Sequence, residues 1–389
     1  MLPVDMKSFQ LVVPDVIFGN GVIADLGSRV KAIGGKKALI FTDKGLVKAG
    51  VADRIKSLLT ADGVDCRIFD TVEAEPSLDN VYEGLRFAEE DIPDVVIGLG
   101  GGSSMDVSKL VSILLKHGGD IREYLGIDNI PGRGVPTIMI PTTAGTGSEV
   151  SKYGIFDDRE AKTKLGIVSL HLVTDLAVID PELTFSMPPS ITASTGCDAF
   201  IHAVEGYLAT NSTPVTDLLA LEAVKIIYQN LPAAFADGRD PLARYNMAYG
   251  SFLAGIVLNH AGGSSSHALS YPAASEYHIP HGVGCMLTFL EVLEYFAPCS
   301  IEKFVRMAEV MGIDSTSDSP RAIAERAILE IRKMVDYLEI PHKLSAVGVD
   351  KNRFEPYAKS VVAKQQRLIT NGPRQLTEKD IIRIYELSY

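Results

Sequence analysis

An alternation dominates the first half of this chain and limits what it can fold into. Short β-branched runs take turns with amphipathic helical stretches, the pattern of a parallel sheet covered by helices. KALIFTD (37–43) reads as a strand, Leu46 to Leu59 as a helix and CRIFD (66–70) as the next strand. Asp79 to Glu90 is helical, PDVVIGLG (93–100) a buried strand, Ser103 to His117 a helix and VPTIMIPT (135–142) a strand. Further strands are expected around Tyr153–Phe156, Lys164–Val168 and Ala177–Ile179. From Pro188 onward the periodicity is almost wholly helical, as in TDLLALEAVKIIYQNL and IEKFVRMAEVMG. The reading is a nucleotide-binding kind of α/β domain over 1–185, with a Rossmann-like parallel sheet, followed by an all-α domain over 186–389. With no repeat and no low-complexity linker, the two parts should pack against each other.

Charge narrows the partners. There are 37 basic against 49 acidic residues, a formal charge of -12, which argues against a phosphate-backbone binder. The start, MLPVDMKSFQLVVP, lacks the apolar core of a signal peptide, and no uninterrupted apolar run is long enough for a bilayer. A cytoplasmic protein with no membrane partner is expected. Cys66, Cys197, Cys285 and Cys299 are widely spaced without a CxxC pair, so reduced, mostly buried thiols are expected.

Two loops follow strands in the first half. Gly100, Gly101, Gly102 and Ser103 lead from PDVVIGLG into a helix start, where bare backbone and free N–H groups favour a phosphate. The same glycines also suit a tight strand-to-helix turn, and Gly98-x-Gly100-x-x-Ser103 does not complete the dinucleotide fingerprint. PTTAGTGSE (141–149) brings the hydroxyls of Thr142, Thr143, Thr146 and Ser148 to a second strand end. Asp43 ends an earlier strand, where it can accept hydrogen bonds from a ribose diol or cap the helix that follows.

The second half concentrates metal donors, with five of the eight histidines between residues 202 and 281. Asp198 and His202 stand four residues apart in a helical segment and project from one face. His267 and His281 lie downstream around a turn. One carboxylate with up to three imidazoles suits iron, zinc or manganese. His260 and His278 read as lining residues at best. Glu205, a turn beyond His202, either orients a ligand or faces solvent, and Cys197 reads as packing.

PDVIFGNGV, TDKGL, GLGGGSSMDVSK, PTTAGTGSEV, AVIDPELT, MPPSITASTGCDAFIHAVEGY, HALSYPAASEYHIPHGVG and TNGPRQLTEKDIIRIYE together resemble the iron-containing (group III) alcohol dehydrogenases over essentially the full length. The resemblance implies the dehydroquinate synthase-like, iron-type alcohol dehydrogenase fold: an N-terminal dinucleotide-binding domain, a helical metal-binding domain, an active site between them, and commonly a homodimer. It carries the metal ligands onto Asp198, His202, His267 and His281. It carries the pyrophosphate turn onto Gly100 to Ser103, the hydroxyl loop onto Thr142, Thr143 and Thr146, and the ribose acid onto Asp43, which suggests NAD. Lys164 matches a cofactor-contacting lysine and Leu183 an apolar contact on the adenine side.

Two positions depart from the pattern. Tyr271 stands where many relatives have a second histidine in HAMAH, and an unperturbed pKa near ~10 makes it a poorer base at neutral pH. Ser108 replaces the usual alanine before Lys109. The implied chemistry is metal-dependent hydride transfer between NAD(H) and a small alcohol or aldehyde, with Fe²⁺ first and Zn²⁺ or Mn²⁺ as alternatives. A hydroxyacid-oxoacid transhydrogenase is the alternative. A dehydroquinate synthase-type lyase would need a basic cluster around the ligands that is not seen. LNHAGGSSSHAL is expected to line the approach to His267, with Lys152 nearby for a substrate bearing a carboxylate or sulfonate; otherwise Lys152 faces solvent and the serines serve helix packing.

Overall fold

The computed structural model describes residues 8–158, 163–314 and 318–389. Residues 1–7, on which part of the leader reading rests, lie outside them. The strands are β1 (Asp15–Phe18), β2 (Lys37–Phe41), β3 (Asp65–Phe69), β4 (Val95–Gly100), β5 (Gly126–Ile127), β6 (Thr137–Pro141), β7 (Tyr153–Asp158), β8 (Thr163–Val168) and β9 (Leu176–Ile179). Six of them make one sheet in the order β1-β9-β6-β4-β2-β3, with every pairing parallel. A small second sheet runs β5-β8-β7.

Register explains why the strands read as they do. Ile68, Ile40, Ile97, Ile138 and Leu176 stand side by side across five neighbouring strands. That row packs toward α1 (Leu26–Ala32) and α3 (Val51–Ala61). Leu39, Phe41 and Val96 point to the opposite face, toward α4 (Leu78–Glu89) and α5 (Gly102–His117). Both faces are covered, so the central strands are continuously apolar rather than alternating. The helix expected over Leu46–Leu59 is two helices, α2 (Lys44–Lys48) and α3, because Gly50 turns left-handed between them at φ +76.

The remainder is helical: α6 (Pro189–Leu208), α7 (Pro214–Ala236), α8 (Pro241–Ala261), α9 (Ser265–Tyr277), α10 (His281–Phe296), α11 (Ile301–Met311), α12 (Pro320–Tyr337), α13 (Phe354–Lys364), α14 (Gln366–Ile369) and α15 (Glu378–Leu387). The largest apolar cluster sits here, with the Phe200 and Phe289 rings edge to face at 6.3 Å. Helix α6 is buried on every side from Gly196 to Leu208. Any polar side chain it carries there must find a partner inside the protein.

Where the sequence suggests no bilayer-length run, His281–Cys299 does reach the length and mean hydropathy of one among the described residues. It is the core helix α10 with its short extension, and 67% of it is buried inside the protein. Cys66, Cys197 and Cys285 are buried free thiols, and Cys299 is an exposed one.

Candidate metal centre and cofactor cleft

The loops singled out in sequence lie at the carboxyl ends of four adjacent strands. In the sheet order β9-β6-β4-β2 these ends lead to Leu183, to Thr142 through Thr146, to Gly100 through Ser103, and to Asp43. In an open parallel sheet this edge is where ligands bind. The Thr142 N–H donates to the Gly100 carbonyl at 3.0 Å, tying the two loops together. Gly101 begins α5 without a side-chain cap, so no side chain satisfies the first N–H groups of that helix.

Other candidates carry structural duties of their own. Asp43 accepts from the N–H groups of Gly45 (2.7 Å) and Leu46 (3.1 Å), so it caps α2. The Ser103 hydroxyl donates to the Ala74 carbonyl. Leu183 is only 3% exposed, packed in the core and offering little surface to a ligand. Lys164 on β8 pairs with Glu75 at 2.5 Å; burial pulls its ammonium down, but that pairing outweighs burial and raises it.

A buried charge cluster, unremarked in the sequence, stands behind the hydroxyl loop. The Lys109 ammonium donates to the carbonyls of Ser148 (2.6 Å), Ser151 (3.1 Å) and Tyr153 (3.1 Å). Asp106, a turn earlier, accepts from the Ser148 hydroxyl at 2.6 Å and the Ile155 N–H at 3.1 Å. Burial draws Lys109 down to about 8 while Asp106 and Glu149 resist. The i,i+3 spacing in DVSK was the available signal. Lys109→Met should cost about 3–5 kcal/mol, since it leaves a buried carboxylate and several carbonyls uncompensated. Thermal unfolding should fall, and the KM for NADH should rise more than that for aldehyde; unchanged melting and KM values would refute this account.

In the helical half, Asp198 and His202 stand one turn apart on α6, His267 lies in the first turn of α9, and His281 opens α10. The Nε2 atoms of His202, His267 and His281 lie 3.7, 3.7 and 3.6 Å from the same Asp198 Oδ1. Donors about 2.1 Å from a shared ion sit about 3.0–3.5 Å apart, so a slight contraction would complete a coordination sphere. The close approach depends on Gly282: a Cβ there would fall 2.0 Å from the Ser194 carbonyl, one turn before Asp198. A side chain at that position would push α10 and its histidine away from α6.

Two donor atoms test the fit of a cation. Asp198 Oδ1 and His267 Nε2 are buried without a hydrogen-bond partner, and both face the shared gap. Buried polar atoms are rarely left so, and a divalent ion is the partner this donor set suits. Burial works against the Asp198 carboxylate, but His202 and His281 hold it well below the usual range. Burial draws His202 down to about 4, against the pull of Asp198, so it stays neutral and able to ligate.

Glu205 is not solvent-facing. It is 2% exposed, and the imidazole it orients is His267 rather than its helix neighbour His202. His267 Nδ1 lies 2.7 Å from Glu205 Oε2, and the N–H groups of Ser264 (2.7 Å) and Ser266 (2.6 Å) donate to the same carboxylate. Burial raises the Glu205 carboxyl, but His267 and these donors hold it low, so it remains charged. With Nδ1–H engaged by Glu205, it is Nε2 that faces Asp198. Burial works against the charged ring, but Cys285, Glu205 and Asp198 outweigh it and raise the imidazole, so the Nε2 proton has to leave when a cation binds. Ser264, Ser265 and Ser266 are buried rather than lining an open approach, which is the close-packing alternative.

The remaining sequence candidates separate cleanly. His260 accepts from the Val12 N–H at Nε2 (2.9 Å) and donates from Nδ1 to the Ile256 carbonyl (2.8 Å); both nitrogens are used in holding the N-terminal arm. His278 is exposed and forms the left-handed cap of α9 at φ +52, turning the chain toward His281. Cys197 is fully buried packing. Tyr271 stacks 6.2 Å from the His281 ring, and burial raises its phenol, with His267 opposing.

Cys285 was missed. One turn after His281, its Sγ sits 3.9 Å from either His281 nitrogen, and with Asp198, His267 and His281 it forms a cluster of donors within 4.8 Å. Its i,i+4 spacing from His281 was visible in the sequence, but without knowing that His281 opens a helix the spacing meant nothing.

Comparison with known proteins bears on this arrangement. Residues 14–181 match the family described as iron-containing alcohol dehydrogenase, and residues 192–389 match its C-terminal part. The chain is 36% identical over 386 residues to a 1,3-propanediol dehydrogenase of Klebsiella pneumoniae, covering 98% of this chain and 99% of that one. A crystal structure of a 1,3-propanediol oxidoreductase superposes with TM-score 0.95 at 35% identity, over 98% of this chain and all of that one. A sulfoacetaldehyde reductase from Bifidobacterium kashiwanohense, solved in complex with NAD⁺, superposes with TM-score 0.88 at 28% identity, over 98% of both chains.

Proposed function

The chain belongs to the iron-containing alcohol dehydrogenase family, an alcohol/aldehyde oxidoreductase binding NAD and a metal, and from that premise we propose which residues do the work and on what. Asp198, His202, His267 and His281 hold the ion, Fe²⁺ before Zn²⁺ or Mn²⁺, because four protein donors leave open positions only on an ion that accepts five or six. The observation that carries this reading is the convergence of three Nε2 atoms on one buried Asp198 oxygen. The reaction interconverts a small primary alcohol and its aldehyde, including aldehydes bearing a carboxylate or sulfonate.

The ion supplies Lewis acidity to the substrate oxygen, and the nicotinamide supplies or accepts the hydride. The chain's own groups do the rest. Glu205 fixes the tautomer of His267 and the direction of its lone pair. The turn Gly100, Gly101, Gly102 and Ser103, with the uncapped start of α5, receives a pyrophosphate, and Thr142, Thr143 and Thr146 stand beside it. Asp43 serves the ribose, Lys164 contacts the cofactor, and Leu183 backs the adenine side from within the core. Tyr271 keeps its proton at neutral pH, which fits it to donate toward a forming alkoxide rather than to act as a base. The division into 1–185 and 186–389, a homodimer, and a cytoplasmic setting complete the proposal, and family membership supports them.

The test follows NADH absorbance with a panel of alcohols and aldehydes after chelation and reconstitution with Fe²⁺, Zn²⁺ or Mn²⁺. Turnover should vanish on chelation and return most strongly with Fe²⁺. Absence of any metal-dependent turnover removes the proposal.

A further inference from the structure

A cavity of about 340 Å³ lies where the α/β part, the N-terminal arm and the helical part meet. Gly262 and Gly263 are part of its lining, and a Cβ on Gly263 would stand 3.6 Å from the His267 ring and 3.7 Å from Glu205 Oε2. Gly263 thus belongs both to the cavity lining and to the immediate surroundings of the His267–Glu205 pair.

Several of its neutral polar groups are already engaged. Asn259 accepts from the Lys152 N–H and donates to the Val12 carbonyl, Asn371 donates to the carbonyls of Ala261 and Gly263, and both His260 nitrogens are used. Two cations stand without a paired carboxylate. Among the described residues neither Lys152 nor Arg367 has an ion-pair partner within 4.0 Å, although both line the cavity with Asp128 as its carboxylate. Arg367 lies 5.7 Å from the Tyr153 ring. Burial lowers the Lys152 ammonium, Asp128 opposes this and Arg367 adds to it, as expected where two like charges face one space. In a chain of net charge -12, two cations against one carboxylate give this cavity a net positive lining. Ile127 and Leu170, 60% and 40% exposed, give the cavity apolar edges.

We infer that this cavity binds a small organic anion, a single carboxylate or sulfonate on a short apolar stem, with Lys152 and Arg367 meeting the charge and Ile127 and Leu170 the stem. The anion has two possible sources: the tail of an aldehyde substrate, which rests on the reaction proposed above, or a separate organic acid, which does not.

Calorimetric titration of the metal-loaded protein with propionate and ethanesulfonate tests the site directly, with 1-propanol and inorganic sulfate as controls. Saturable binding of the two organic anions is expected, weaker for both controls and weakened by salt. Lys152→Met and Arg367→Met should each loosen it about tenfold, the loss of one charged hydrogen bond. Asp128→Asn should tighten it, a gain that no folding defect mimics. No saturable binding, or binding unchanged in all three variants, overturns the inference. The source is then read from kinetics. Ethanesulfonate competing against succinic semialdehyde but not propanal assigns the site to the substrate's tail, and binding without effect on either KM assigns it to a separate anion. Binding that persists in a protein without dehydrogenase turnover would sink the proposed reaction and leave this site standing.

Discussion

Asp198→Asn is expected to release the metal and abolish turnover. The substitution preserves volume and one acceptor oxygen, so packing in the buried middle of α6 is little disturbed. What it removes is the carboxylate charge, on the atom common to all three imidazole contacts. Neutral donors alone hold a divalent ion poorly, and burial of the ion without an anion adds an uncompensated charge. The loss of affinity should exceed the about 10–100-fold that removal of an outer partner typically costs. Metal content after dialysis and NADH oxidation should both collapse, while the melting temperature of the metal-free protein stays close to that of metal-free wild type. Retention of metal and turnover would remove Asp198 from the site.

Glu205→Ala should be nearly as damaging by another route. It strands three buried donors: the Nδ1–H of His267 and the N–H groups of Ser264 and Ser266. Each unsatisfied donor costs about 1–3 kcal/mol, so stability falls along with metal binding. Affinity for the ion should drop about 10–100-fold as His267 loses its fixed tautomer. Glu205→Gln should fall between, because an amide restores one acceptor and sets its own N–H₂ against donors already present. Acid distinguishes the charge from the shape. Glu205 is held below its ordinary 4.5, so the stability it contributes is present above that value and is lost as pH falls through its lower folded value. Wild type should therefore lose stability on acidification below about 4.5 more steeply than Glu205→Gln. Parallel acid titrations of the two proteins check this, and identical slopes would contradict it.

Much of the fold is legible in the chain because central parallel strands are buried on both faces and their composition says so. KALIF, DVVIGLG and TIMIP need no tertiary knowledge to be recognised. β1 and β5 were not legible: one is four residues of mixed exposure and the other two exposed residues, so neither carries a periodic signal. The break at Gly50 was missed because an apolar period continues across it, and only the backbone reveals the left-handed turn.

The sequence by itself determined the donor types and their order: a carboxylate and an imidazole four residues apart on one helix, two later histidines, and glycine and hydroxyl loops at strand ends. Local spacing suffices there, since a helix places i and i+4 on one face whatever it packs against. Only the tertiary structure decided what surrounds them. Glu205 belongs to His267, 62 residues away, rather than to His202 beside it. His260 belongs to the N-terminal arm, Cys285 joins the donor cluster, and Lys152 and Arg367 line one cavity. These relations depend on where α8, α9, α10 and α14 come to rest against α6 and the small sheet. The packing of whole elements sets that position, and no short stretch of sequence encodes it.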